Sequence, residues 1–248
     1  MQVTPSFLFR KLLPEAPRGT PLSTTWLGLR GLSAPQVARL AESGWLKRLG
    51  RGTYLLPGDE LNRDAALAWL VTLLPGLHVA GKSALAWRGV RHNLAFKERL
   101  VLWGNRPAKL PGWFTNAFPA NYQATHLFDE GMAPSLGLAP LPAGRADLPV
   151  STPERAMLEL LSDVGKSQSL EEARHLIESA RSLRLDVLEE LLGHLKRIKV
   201  ARLAHALADN LDLPWKSLAR THSERLGGGK RWVSATRTGE RLNLKRPQ

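Results

Sequence analysis

Lys47, Arg48 and Arg51 are the residues whose types and spacing speak most plainly of chemistry, and that chemistry is electrostatic. They lie in ESGWLKRLGRGTYLL, residues 42–56, where Trp45, Leu46 and Leu49 precede Gly50-Arg51-Gly52 and Tyr54, Leu55 and Leu56 follow it. The pattern reads as the end of a helix, a short strand, a tight turn and a second strand. Glycines on both sides of Arg51 permit the positive φ angles of a tight hairpin and hold the arginine at its tip. Three such cations on one small hairpin suit phosphate oxygens, which take charge-assisted hydrogen bonds from them. The plainer alternative is a surface hairpin with ordinary solvated charge.

A hairpin grips phosphate usefully only if something positions it, and the upstream sequence supplies three helices. Residues 5–13 pattern as a first helix with Phe7, Leu8, Leu12 and Leu13 as its apolar face, ended by Pro14. Residues 22–29 suit a second short helix, stopped near Gly28 and Gly31. Ser33 can cap a third, with Pro35 in its first turn, where a missing N–H costs nothing. Val37, Leu40 and Ala41 are spaced to pack inward, Gln36, Arg39 and Ser43 fall on the other face, and Gly44 ends the helix. Three helices followed by a basic hairpin make a winged helix-turn-helix, with the third helix reading the major groove and the wing on phosphates. Arg39 could pair with guanine and Gln36 with adenine, or either could contact phosphate. The expected DNA contacts are Gln36, Arg39, Lys47, Arg48 and Arg51, with Ser33 and Ser43 as lesser candidates.

Charge supports a polyanionic partner. The 248 residues carry a formal net charge of +13. Residues 1–56 hold 8 Lys/Arg against 2 Asp/Glu, residues 57–192 hold 14 against 16, and residues 193–248 hold 13 against 4. Two basic ends flank a near-neutral middle, which favours binding through release of phosphate counterions. There is no cysteine, so disulfides and thiolate metal sites are excluded and a reducing cytoplasm fits. No apolar run is long enough to span a membrane. The opening MQVTPSFLFRKLL carries charge within its apolar pattern and lacks the layout of a secretory signal.

Catalytic motifs fare poorly. GLHVAGKS, residues 76–83, satisfies the P-loop pattern G-x-x-x-x-G-K-S. A working P-loop follows a buried strand and leads into a substantial helix. Here the preceding segment patterns as helix, the loop centre is apolar, and the next helix stops by Gly89. No apolar strand ending in a magnesium-binding Asp accompanies it, so the match reads as coincidence. Gly227-Gly228-Gly229-Lys230 reads better as a turn than as a phosphate cradle. The seven histidines lack metal spacing, and His78, His92 and His126 have no acidic neighbour in sequence. No Asp or Glu has Lys two residues later, as a PD-(D/E)xK nuclease needs, and no G-x-S-x-G elbow occurs. The expectation is a non-enzyme with no cofactor and no metal.

Pro57-Gly58-Asp59 marks a boundary between a DNA-binding domain, residues 1–57, and a larger domain, residues 58–248. In the latter, 63–74 and 82–87 pattern as helices and 100–104 and 121–128 as strands joined by Pro/Gly-rich connections. Trp103, Trp113 and Phe114 read as core or sheet-edge aromatics. LPVSTPERAMLELL, residues 148–161, takes a strand into a helix capped by Ser151 or Thr152, with Glu154 placed to close a capping box on Ser151. Leucine-rich stripes over 170–177, 185–195 and 200–207 follow as a packed helical array, and Trp232-Val233 and Leu242-Asn243-Leu244 suit short strands after the glycine turn. The fold class is therefore α+β, a winged helix followed by a mixed α/β domain that ends in helices and short strands. A second basic cluster, Lys196, Arg197, Lys199, Arg202, Lys230, Arg231 and Arg237, reads equally as a phosphate- or RNA-facing patch and as a solvated face.

The chain resembles the AbiEi family of antitoxins from AbiE-type (type IV) toxin–antitoxin systems. The resemblance rests on SGWLKRLGRGTYLLPGD (43–59), AGKSALAWRGVRHNL (80–94), LPVSTPERAMLELL (148–161), IKVARLAHALADNLDLPW (198–215) and LGGGKR (226–231). It implies an antitoxin that represses its own operon, its winged helix binding inverted repeats in double-stranded promoter DNA. It implies a nucleotidyltransferase-like toxin as functional partner, opposed without a stable complex, in phage defence by abortive infection or in plasmid and island maintenance. In the family the block around Gly81-Lys82-Ser83 is structural. Two other readings stay open, a stand-alone regulator with a C-terminal ligand or dimerisation domain and an enzyme hidden in the middle of the chain.

Overall fold

The computed structural model describes residues 5–90, 99–180, 182–226, 232–235 and 241–244. Its contacts divide the chain into two compact units, Met1–Leu74 with Lys109–Ala120, and Pro75–Ala108 with Asn121–Gln248.

The first unit opens with α1 (Pro5–Leu12), β1 (Leu22–Ser23), α2 (Thr24–Gly28), α3 (Ala34–Glu42), β2 (Lys47–Gly50) and β3 (Thr53–Leu55), followed by α4 (Arg63–Val71). Its three helices close over one apolar cluster of Phe9, Leu22, Leu27, Leu32, Val37, Leu40, Leu46, Tyr54 and Leu56. The inward face of α1 is centred on Phe9, fully buried, whereas Phe7 is 50% exposed. Leu8, Leu12 and Leu13 of the expected face pack against the cluster, Phe7 does not, and Phe9, which the pattern did not single out, takes the centre and meets Trp45 edge to face at 6.5 Å. Residues 22–29 do not form one helix. Leu22 and Ser23 pair antiparallel with Tyr54 and Thr53, and the Ser23 hydroxyl then accepts from the Trp26 amide at 3.0 Å to cap α2. The strands lie in the order β1-β3-β2.

In the hairpin only Gly52 takes a positive φ, +67°. Gly50 is favoured for another reason, since a Cβ there would stand 3.1 Å from Trp113 Cδ1, closer than side chains ordinarily pack. Beyond the hairpin the chain stays with the first unit past the expected boundary at Pro57. Asp59 accepts from the Gly19 amide at 2.7 Å and pairs with Arg18, while the Asn62 amide donates to the Gly19 carbonyl at 2.8 Å. Asn62 then caps α4 through the Ala65 amide.

The second unit begins with β4 (His78–Val79), α5 (Gly81–Trp87) and β5 (Leu100–Gly104). The chain returns to the first unit for α6 (Gly112–Ala117), a helix the sequence pattern did not announce, which holds Trp113 and Phe114. The second unit resumes with β6 (Ala120–Ala124), β7 (Leu138–Ala139), β8 (Val150–Ser151) and α7 (Pro153–Asp163). It continues with α8 (Leu170–Ser179), α9 (Leu185–Gly193), α10 (Ile198–Asn210), α11 (Lys216–Leu226), β9 (Trp232–Ala235) and β10 (Arg241–Leu244). Helix α11 also went unannounced. β6 stops at Ala124, and Phe128 instead bridges Leu195, which lies beyond the end of α9. The sheet order is β6-β5-β4-β8-β7, with β4 parallel to β8 and antiparallel to β5. β9 and β10 pair antiparallel as a separate two-stranded sheet.

A buried ionic knot holds this unit together. Glu159 on α7 is fully buried. It accepts from His78 Nε2 at 2.9 Å, Arg155 Nε at 2.9 Å, Ser151 Oγ at 2.8 Å and the Gly81 amide at 3.0 Å. Burial alone would raise its pKa, but the His78 ring, the Arg155 guanidinium and the Gly81 N–H overcome this and hold it below the ordinary value. Ser151 is therefore spent on Glu159 and does not form the expected capping box. Glu154 instead receives three hydrogen bonds from Arg184, through its backbone N, Nε and Nη2, and Thr152 is the N-cap residue of α7.

Two consequences are measurable. Glu159→Ala strands Arg155 and His78 without their acceptor and should cost about 3–5 kcal/mol in urea unfolding, whereas an exposed carboxylate such as Glu189 (Glu189→Ala) should cost under about 0.5 kcal/mol. Burial pushes the Glu154 carboxyl up, but its bonds from Arg184 outweigh this and bring it from 4.5 to about 2. Its folded pKa is depressed, so its stabilising contribution is present above pH 4.5 and is lost as pH falls towards 2. Urea midpoints should drop less steeply across that window in Arg184→Ala than in the wild type.

Candidate nucleic-acid interface

The expected DNA-contacting residues fall on α3, its cap and the hairpin after it. Helix α3 starts at Ser33, where the Ser33 amide donates to Gln36 Oε1 at 2.8 Å, and ends at Gly44 with φ +77°. Val37 and Leu40 face the core, which leaves Ser33, Arg39 and Ser43 exposed and Gln36 half-buried on the opposite side. The Trp45 amide closes back on the Leu40 carbonyl at 2.8 Å and turns the chain into β2. Lys47 pairs with Leu55 and Arg48 with Tyr54, so the two cations leave β2 on opposite faces. Arg51 stands in the turn, which Thr24 fastens by donating its amide to the Gly52 carbonyl at 2.9 Å.

The electrostatics single out four of these residues. Arg39, Lys47, Arg48 and Arg51 are exposed, and among the described residues none makes an ion pair or a side-chain hydrogen bond. Of the unit's other cations, Lys109 is likewise exposed without a partner among the described residues, and the rest are engaged. Arg18 pairs with Asp59 and Arg63 with Asp64. Arg10 lies 5.0 Å from the Trp45 ring centroid, and Arg30 lies 3.7 Å from that of Trp26 while donating to the Trp26 carbonyl. These two stacked arginines escaped the sequence reading, although Trp26 and Arg30 stand at the i, i+4 spacing that could have flagged them.

A family model described as transcriptional regulator, AbiEi antitoxin, type IV toxin–antitoxin system matches residues 97–244. Its companion, the AbiEi antitoxin N-terminal domain of a transcriptional regulator, matches residues 7–96. The chain belongs to the AbiEi antitoxin family. Among solved structures, the crystal structure of the RV2827C protein from Mycobacterium tuberculosis is similar, with 17% identity, a TM-score of 0.61, and coverage of 91% of this chain and 82% of that one. That likeness speaks for the fold. No curated protein matches the chain.

In this AbiEi antitoxin the P-loop-like stretch is structural. Its centre is β4, with His78 bound to Glu159. The Gly81 amide also serves Glu159, Ser83 Oγ accepts from the Val101 amide at 2.9 Å, and Lys82 lies 3.5 Å from Glu172. Three of the groups a P-loop would aim at phosphate are thus engaged within the protein. The second basic cluster disperses as well. Arg197 donates to Ser162 Oγ at 2.6 Å and Lys199 reaches the carbonyls of Ser162 and Val164, where cations stabilise the C-terminal end of α7. Burial, with Lys166 and Arg197 nearby, lowers the Lys199 pKa. Arg202 is buried, and Lys196 alone of these four is exposed. Lys230, Arg231 and Arg237 lie outside the described residues, as do His92 and the Gly227-Gly228-Gly229 turn. Among the described residues no group of three or more His, Cys, Asp or Glu is placed to hold a metal ion, and no helix is long and apolar enough to cross a membrane.

Gln36 needs both ends of its amide to read adenine, yet its oxygen already caps α3. Gln36→Ala should therefore lower the unfolding free energy by about 1 kcal/mol and weaken binding to duplex DNA less than Arg39→Ala does. Chemical denaturation and fluorescence anisotropy on the same samples separate the two effects.

Proposed function

We propose that this chain is a cytoplasmic antitoxin that represses its own operon, gripping inverted repeats in the promoter through a winged helix. The order α1-β1-α2-α3-β2-β3 supports that reading, in which α3 serves as the recognition helix and β2–β3 as the wing. The observation that carries the reading is the set of four exposed cations without acidic partners, one on α3 and three on the hairpin. Exposed positive charge left uncompensated within the chain is what phosphate binding requires. Arg39 supplies base contact or phosphate contact from α3, and Lys47, Arg48 and Arg51 track the backbone beside it. The second unit carries the antitoxin activity, against a nucleotidyltransferase-like toxin and without a stable complex. No cofactor takes part.

Binding of the full chain to a duplex of its own upstream region, followed across salt concentrations, tests the repressor half. Each phosphate contact removed should flatten the log–log salt slope by about 0.9. Arg51→Ala should lose that much with little change in sequence preference. Arg39→Ala should lose preference for the operator over unrelated duplex if it reads guanine, a contact worth about 1–3 kcal/mol. A double variant whose affinity and slope match the wild type would remove the reading. Rescue of growth by the chain when the neighbouring toxin is induced tests the antitoxin half.

A further inference from the structure

The hairpin is not a free-standing ribbon. Its outer strand β2 is an edge, since the sheet runs β1-β3-β2, and unpaired edges are usually covered or charged. Here the cover comes from far downstream in the sequence. Segment Lys109–Ala120 belongs to the first compact unit, and its helix α6 packs on β2. At the contact Gly50 offers no side chain, and the Trp113 ring lies so close that a Cβ would stand 3.1 Å from it, tighter than ordinary packing. Trp113 is fixed in turn by edge-to-face contacts with Trp69 at 5.5 Å and Phe114 at 6.0 Å. Phe114 is fully buried and tilts against Phe118 at 5.6 Å. The backbone register of β2 shifts between Arg48 and Gly50, so the strand is irregular where the tryptophan meets it.

We propose that Trp113 is a positioning residue for DNA binding, clamping β2 at Gly50 so that Lys47, Arg48 and Arg51 meet phosphate in one preset geometry. The inference rests on the repressor reading above and deepens it. A two-stranded ribbon alone is marginally ordered in water, and long cations on a mobile ribbon lose rotamer and backbone freedom on binding. The clamp makes that ordering part of folding. The working DNA-binding unit thus includes α6, a segment that the family's C-terminal model, not its N-terminal one, matches.

The test uses the full chain. Trp113→Ala should raise Kd for the promoter duplex about tenfold or more and speed hydrogen exchange of the amides in residues 47–55, with Trp113→Phe restoring most of both. Gly50→Ala should weaken binding in the wild-type background and be tolerated in Trp113→Ala, because the clash partner is gone. Circular dichroism melts confirm that each variant is folded, and Gly50→Ala keeps the test alive should Trp113→Ala fail to fold. Unchanged exchange in residues 47–55, or faster exchange at unchanged Kd, would overturn the proposal. A wild-type chain that binds no duplex would sink the repressor reading itself, a result distinct from either of these.

Discussion

A carboxylate sealed from water must find donors on every side, and Glu159 finds them on four separate pieces of chain. It draws the His78 end of β4, the first amide of α5, the end of β8 and the preceding turn of α7 to one point. Register in the short strands β4 and β8 rests on few ladder bonds, so this ionic centre does much of the specifying. Removing water from such a group is costly unless every lone pair is met, and here the partners are all protein groups. The sequence G-K-S at residues 81–83 is taken up within the same unit. Its glycine amide, lysine and serine are each used, but by Glu159, Glu172 and the Val101 amide.

The first unit obeys the reverse constraint. Its paired acids, Asp59 and Asp64, are taken by Arg18 and Arg63. The cations of α3 and the hairpin are left without counter-charge, exposed on a well-packed frame. Uncompensated charge weakens a fold slightly and is useful only towards an outside anion. The membership of the AbiEi antitoxin transcriptional regulators and this distribution of charge point the same way.

What was legible in the sequence was whatever local signals encode. Ser33-Ala34-Pro35-Gln36 announced the start of α3, Gly44 its end, and the apolar run at 100–104 the strand β5. What was hidden depended on distant partners. β1 is a two-residue strand that exists only because Tyr54 and Thr53 lie beside it. α6 is a short helix behind Pro111 with no periodic stripe, and α11 buries little beyond Ala219 and Ser223. Arg197, Lys199 and Arg202 read equally as a phosphate-facing patch and as a solvated face because their acceptors, or their burial, arise from packing between α7 and α10. His78 seemed to lack an acid in sequence, and its acid is 81 residues away. Among the site residues, exposure of Arg39 followed from helix periodicity and that of Lys47, Arg48 and Arg51 from their charge on a short hairpin, whereas the commitment of Gln36 to its own helix cap followed from neither.

The central claim is that α3 and the β2–β3 hairpin form the surface that meets duplex DNA. Hydrogen exchange of the full chain, measured with and without its promoter duplex, addresses that most directly. The account predicts that the duplex slows exchange in residues 33–43 and 47–53 above all others. Protection confined to the second unit, with those two stretches unchanged, would contradict it.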